Sequence, residues 1–184
     1  MQAILASAPV ALPAQAIRMN AKPTAAIRIE PATPADVPLI RSLILELAAF
    51  ERLLDEAKVT EPQLHDGLFG PRPSAEVVIA RVGTDAVGFA LFFHNYSTFL
   101  GKPGLYLEDL YVRQQYRGQG CGAALLRHLA KLAVERGCGR FEWSVLDWNQ
   151  RAIDFYKALG AQPMAEWTIF RVTGDALTSL GSSS

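Results

Sequence analysis

Residues 26–30 (AIRIE) alternate apolar and polar positions and predict a first strand. A helical repeat follows over residues 31–56. Thr33 suits a cap, Pro34 and Asp36 suit a first turn, and Ile40, Leu43, Leu45, Leu47 and Phe50 form an imperfect apolar stripe. Thr60 and Gln63 have the spacing of a capping pair for a short second helix that stops near Gly70. AEVVIARVG and DAVGFALFFHN read as two strands joined by a turn at Gly83 to Asp85, and GLYLEDLYV as a fourth. Leu125, Leu126, Leu129, Leu132 and Ala133 make one face of a helix from Ala123 to Arg136, with Gly137 as its stop. RFEWSVL predicts a fifth strand, and NQRAIDFYKALG a helix capped by Asn149 and stopped by Gly160. EWTIFRV predicts a last strand, and GDALTSL a short helix or tail.

The predicted order is β-α-α-β-β-β-α-β-α-β. Three successive strands favour antiparallel pairing, and the β-α-β unit favours one parallel pair. The fold class expected is α/β (α+β), a mixed and mostly antiparallel sheet with helices on both faces.

Composition narrows the function classes. The chain has 184 residues, which suits one domain, expected over residues 26–180. Lys plus Arg (18) equals Asp plus Glu (18), which argues against a nucleic-acid binder or a protein held to an acidic membrane by charge. Cys121 and Cys138 lack metal spacing, and His65, His94 and His128 are scattered, so no metal is expected. No apolar run approaches the ~20 residues of a spanning helix, and a cytoplasmic location is the expectation. Residues 1–25 are rich in Ala and Pro, without acids, and are expected to be a poorly structured tail.

The candidate chemistry lies at residues 117–122, R-G-Q-G-C-G. Three glycines at alternate positions free backbone N–H groups to face one point, and the dipole of the following helix adds positive charge there. Arg117, with Arg113 as a second cation, completes a site for phosphate or pyrophosphate. No Lys-Ser/Thr follows Gly122, which excludes a P-loop. Gly118, Gly120 and Ala123 do satisfy a dinucleotide fingerprint, with Glu142 about 20 residues further on. A nicotinamide-dependent oxidoreductase is therefore an alternative, weakened by the long arginine-bearing loop and the antiparallel strands before it.

VRQQYRGQGCGAALL resembles motif A of the GNAT N-acetyltransferases, whose pattern Q/R-x-x-G-x-G/A is met by Arg117, Gly120 and Gly122. DWNQRAIDFYKALGA resembles their motif B, with Asn149 and Tyr156. The resemblance covers roughly residues 26–172. LYLEDLYV, YRGQGCG and VLDWNQRAIDFYKALGAQ resemble the diamine acetyltransferase branch, and STFLGK with VLDWNQRA resembles its thialysine subtype.

The resemblance implies a GNAT fold with a splayed parallel pair, and acetyl-CoA as co-substrate. The amides of Gly118, Gln119, Gly120, Cys121, Gly122 and Ala123 would take the pyrophosphate, with Arg117. The edge at Leu110, Tyr111 and Val112 would pair with the pantetheine arm, and Asn149 and Ala152 would lie on its far side. Tyr156 would protonate the leaving thiolate; without the resemblance the favoured reading is packing, with Phe155, on an apolar face of the last helix.

An acceptor amine with a pKa near 10.4 is protonated at neutral pH and must lose a proton before attack, so a base is required. Glu108 is the candidate, directly or through water. Its neighbour Asp109 would face the other side if alternation is strict. Phe50, Glu51 and Glu108 are the expected acceptor-binding residues, with Asp55 and Glu56 read as solvated. Ser97 stands where the spermidine/spermine subtype has an acid, which favours thialysine, ornithine or a short diamine over a long polyamine. A homodimer is expected from the same branch. A non-enzymatic acyl-CoA-binding module is the other alternative.

Overall fold

The structure is a computed structural model that describes residues 26–182; the tail expected at residues 1–25 lies outside them. The described residues fall into two compact units, 26–144 and 145–182.

The larger unit holds a five-stranded sheet in the order β1 (Ile27–Pro31), β2 (Glu76–Val82), β3 (Asp85–Ser97), β4 (Lys102–Val112) and β5 (Arg140–Trp143). The first four pair antiparallel and β5 pairs parallel with β4, as the element order predicts. Gly83, at φ +60, makes the tight turn between β2 and β3. Three helices flank the sheet: α1 (Val37–Glu51), α2 (Glu61–Phe69) and α3 (Cys121–Glu135).

Local capping sets the helix starts. The Asp36 carboxylate accepts from the Thr33 N–H at 2.9 Å and from its hydroxyl at 2.8 Å, across a 3-10 turn at Pro34–Asp36 that leads into α1. At α2 the Gln63 side-chain oxygen accepts from the Thr60 N–H at 2.9 Å, and Thr60 Oγ1 accepts from the Gln63 N–H at 3.4 Å. Both pairs satisfy donors that a helix start would leave unbonded.

Alternation along the strands supplies two cores. Val77, Ile79, Phe89 and Tyr111 pack with Val37, Ile40, Leu43 and Leu47 of α1 and Leu64 and Leu68 of α2. Val78, Phe92, Leu105 and Leu107 are buried on the other side of the sheet, where α3 contributes Leu125, Leu129 and Ala133. Each such aliphatic or aromatic side chain stabilises the fold by about 1.5–3 kcal/mol on full burial. Phe50, placed in the α1 stripe by sequence, is instead 39% exposed because it falls in the last turn of that helix.

The smaller unit holds α4 (Gln150–Ala158) and α5 (Gly174–Ser182). The Asn149 side-chain oxygen accepts from the Ala152 N–H at 3.3 Å, the cap expected for α4. The strand predicted over residues 166–172 is absent. Those residues have no regular structure, and Trp167, Ile169 and Phe170 are exposed. Alternation gives a segment the pattern of a strand, but a strand exists only where a neighbour takes its backbone hydrogen bonds.

Candidate active site

The glycine loop lies between β4 and α3, with a 3-10 turn at Gln114–Tyr116 filling the stretch before the first glycine. Gly118 and Gly120 have φ of +78 and +90, conformations that favour glycine. A Cβ at Gly118 would meet nothing within 4 Å, and one at Gly120 only Ile27 Cδ1 at 3.8 Å. The loop therefore presents an open surface over the first turn of α3, whose fifteen residues aim unpaired amides and a positive dipole end at it. Cys121 is 1% exposed, and burial pushes its thiol pKa up, so its role is packing.

The two arginines have distinct partners. Arg113 forms a bidentate pair with Glu46 of α1, at 3.0 Å and 2.7 Å, and donates to the Ala86 carbonyl at 2.9 Å. Its charge is balanced inside the fold, which sequence spacing did not show. Arg117 Nε donates to the Val112 carbonyl at 2.9 Å, and its guanidinium lies over the rings of Phe50 and Tyr111.

Strand β4 runs past its parallel neighbour. Pairing with β5 ends at Leu107 opposite Trp143, while Leu110, Tyr111 and Val112 pair with Ala90, Phe89 and Gly88 of β3. The β5-side edge of β4 beyond Leu107 is thus left by β5, which is the splay expected from the resemblance. An extended ligand can use such an edge as a strand would.

A register shift in the β3–β4 pair overturns strict alternation at the acids. Leu91 lies opposite Asp109 and Phe92 opposite Leu107, so Glu108 is an extra residue without a partner on β3. Asp109 keeps the face of Tyr111, and the bulge turns Glu108 to the same side. Both line one cleft of about 380 Å3, with Ile44, Leu47, Ala48 and Glu51 of α1 and Leu53, Glu56 and Ala57 after it. The α1 members fall at i, i+3, i+4 and i+7, one face of a helix.

Glu51 and Glu108 thus both line this cleft, whereas Phe50 is absent from the lining and lies under Arg117. Sequence reasoning missed Asp109 and read Glu56 as solvated only. Four carboxylates and no basic side chain are among the cleft residues. Burial first, then the charges of Glu108 and Glu51, push the Asp109 carboxyl pKa up to about 6. Burial also raises Glu51 above the ordinary range. Ser97 is buried at the end of β3, where its hydroxyl accepts from the Leu100 N–H at 3.3 Å. It acts there as a turn residue.

In the smaller unit, Tyr156 is half-buried on α4 with its ring centroid 5.5 Å from that of Phe155.

Compared with known families, residues 44–161 match the Acetyltransferase (GNAT) family. The chain is 40% identical over 165 residues to the thialysine N-epsilon-acetyltransferase of Bos taurus, covering 84% of this chain and 96% of that one. It is 38% identical to an L-ornithine N5-acetyltransferase of Arabidopsis thaliana, covering 83% and 87%. Among solved structures it is similar to an integron cassette protein of V. cholerae, with a TM-score of 0.73, 27% identity and coverage of 85% and 98%. The family match and the splayed mixed sheet place this chain in the GNAT acetyltransferase family. Its activity is that of an N-acetyltransferase.

Proposed function

We propose that the chain transfers the acetyl group of acetyl-CoA to a primary amine of thialysine, ornithine, a lysine-like amino acid or a short diamine, by direct attack within a ternary complex. The observation that carries this reading is the cleft with four carboxylates beside the strand that leads into an open glycine loop. Acidic walls suit a substrate with one or two ammonium groups. The thialysine and ornithine enzymes among the relatives support the same acceptor class.

The loop fits the co-substrate, since the Gly118 and Gly120 surfaces are open and the amides of residues 118–123 are at a helix start. Those amides, with Arg117, would hold the pyrophosphate, and the edge at Leu110, Tyr111 and Val112 would pair with the pantetheine arm. Asn149 and Ala152 are assigned to the arm and Tyr156 to protonation of the leaving thiolate, supported by the family match, which includes all three. Glu51 and Glu108 are assigned to the acceptor's ammonium groups, with Phe50 at the end of the same helix. One acetyltransferase domain over residues 26–180, a homodimer and a cytoplasmic location complete the proposal. Met164, Trp167, Ile169 and Phe170 expose apolar surface that a second copy would cover. Among the described residues no helix is long and apolar enough to cross a membrane.

The test is calorimetric titration with acetyl-CoA and with NAD, followed by thiol release across an amine panel. Acetyl-CoA binding with turnover, and a higher kcat/KM for ornithine or thialysine than for spermine, is expected. Binding without turnover of any amine would favour an acyl-CoA-binding module, NAD binding an oxidoreductase, and spermine as best substrate a polyamine enzyme.

A further inference from the structure

We propose that Glu46 and Arg113 are positioning residues: their ion pair fastens α1 to the end of β4 and so sets the distance between the acceptor amine and the thioester. This rests on the acetyl-transfer reading and assigns that distance to two residues outside the cleft.

The pair has the geometry of a clamp. Arg113 Nε donates to Glu46 Oε1 at 3.2 Å and to Oε2 at 3.0 Å, and Nη2 donates to Oε1 at 2.7 Å. Nη1 donates to the Ala86 carbonyl at 2.9 Å, so all three guanidinium nitrogens are engaged inside the fold. The Arg113 backbone N–H donates to the Val87 carbonyl at 2.9 Å, which holds the chain to β3 at the same point. Both side chains are half-buried. A planar fork on a carboxylate fixes direction as well as distance, which the point charge of a lysine does not.

The two ends of the clamp lie on the elements that carry the two proposed substrate sites. Arg113 follows β4 directly, next to the edge at Leu110, Tyr111 and Val112. Glu46 lies in α1, and Phe50, one turn later, is on the same flank of that helix. Phe50 meets Arg117, four residues after Arg113, so helix and chain segment are joined at two points of equal spacing. The cleft-lining residues Ile44, Leu47, Ala48 and Glu51 occupy another flank of α1, and Glu46 is not among them. A packed helix moves as a rigid element, so a shift at Glu46 carries Glu51 and its neighbours with it. Glu46 and Arg113 therefore act on the reaction through α1 and β4 and not by touching a substrate. Transfer requires reacting atoms about 3–3.5 Å apart, and a misplacement of about 1 Å costs up to about 10²-fold in rate.

Three variants of the full chain test it: Glu46→Gln, Arg113→Met and the two combined. Each single variant is expected to lower kcat with ornithine about tenfold, with acetyl-CoA affinity by calorimetry within about twofold of wild type. The combined variant should lose no more than either alone, because the same tie is broken in all three. Arg113→Lys, which keeps the charge and loses the fork, should fall between wild type and Arg113→Met. A loss of stability alone would leave kcat per folded chain unchanged, and that result overturns the proposal. A split between the single variants overturns it too: if Arg113 binds phosphate, Arg113→Met weakens acetyl-CoA binding well over tenfold and Glu46→Gln does not. Hydrogen exchange on the unliganded chain needs no turnover. Amides of residues 44–51 and 110–113 are expected to exchange faster, together, in each variant; unchanged exchange in both segments shows that the pair does not hold them. If Glu46→Gln and Arg113→Met fail to fold, Arg113→Lys carries the same measurements. Failure of the acetyl-transfer reading is a separate outcome: no amine would turn over in wild type, while exchange would still report whether the pair joins α1 to β4.

Discussion

The guanidinium carbon of Arg117 lies 4.3 Å from the centroid of the Phe50 ring. One residue belongs to the glycine loop and the other to the last turn of α1, next to Glu51 in the acidic cleft. The last turn of α1 therefore carries one residue packed against the loop arginine and one that lines the cleft. A stacked cation of this kind stabilises its geometry by about 0.5–2 kcal/mol. Phe50→Ala is expected to weaken acetyl-CoA binding about 2- to 10-fold, although Phe50 lies on a different element, and to raise KM for the amine as well. Calorimetry and steady-state kinetics on one preparation read both. A change in the amine KM alone would mean that Arg117 holds its position without the ring.

Gly120→Val is expected to weaken acetyl-CoA binding by well over tenfold, about 1.4 kcal/mol. Gly120 caps α3 at φ +90, which a β-branched residue adopts only with strain, and its open side is where the pyrophosphate is proposed to approach. Circular dichroism establishes folding and titration gives the affinity. Unchanged affinity in a folded Gly120→Val chain removes the loop from the binding site.

Tyr156→Phe is expected to lower kcat by roughly 10²-fold or more with acetyl-CoA affinity nearly intact. The ring contact with Phe155 survives this change, so packing is retained while the hydroxyl is lost. Rapid-quench measurement of the chemical step separates it from product release. A wild-type rate for that step would leave Tyr156 with a packing role only.

Asp109→Asn is expected to stabilise the fold at pH 8 and to leave it unchanged below pH 4. The folded-state proton affinity of Asp109 is raised, from 3.8 to about 6. The folded chain thus holds this proton more tightly than the unfolded chain, and stability from Asp109 is full below 3.8 and lost as pH rises through about 6. At pH 8 the ionised group costs the fold up to about 3 kcal/mol, which asparagine of the same shape avoids. The lowered carboxyls of Glu30, Asp36 and Glu76 act with the opposite sign, but they are present in both proteins and cancel in the comparison. Urea unfolding at pH 4 and pH 8 measures the gap. An equal gap at both would show that Asp109 titrates in the ordinary range.

Much of this fold was legible along the chain because it rests on short-range physics. The Thr60 and Gln63 cap, the continuous apolar run of Val77 to Ala80, and the glycines that must turn at residues 118–120 depend on neighbours a few residues away. The glycine loop, with an arginine before it and a helix after it, marked the proposed anion site for the same reason.

Pairing between distant segments decided the rest. Whether Glu108 and Asp109 share a side depends on a one-residue shift against β3, and in sequence a bulge looks like any other alternating stretch. The pairing of Arg113 with Glu46 spans 67 residues, and no local pattern carries it. Residues 166–172 have the composition of a strand and form none in this structure, because backbone hydrogen bonds need a second strand. The sequence by itself determined which residues could do the chemistry. Tertiary structure decided which carboxylate is deep in the cleft and which is at its surface, because depth is set by what packs around a side chain.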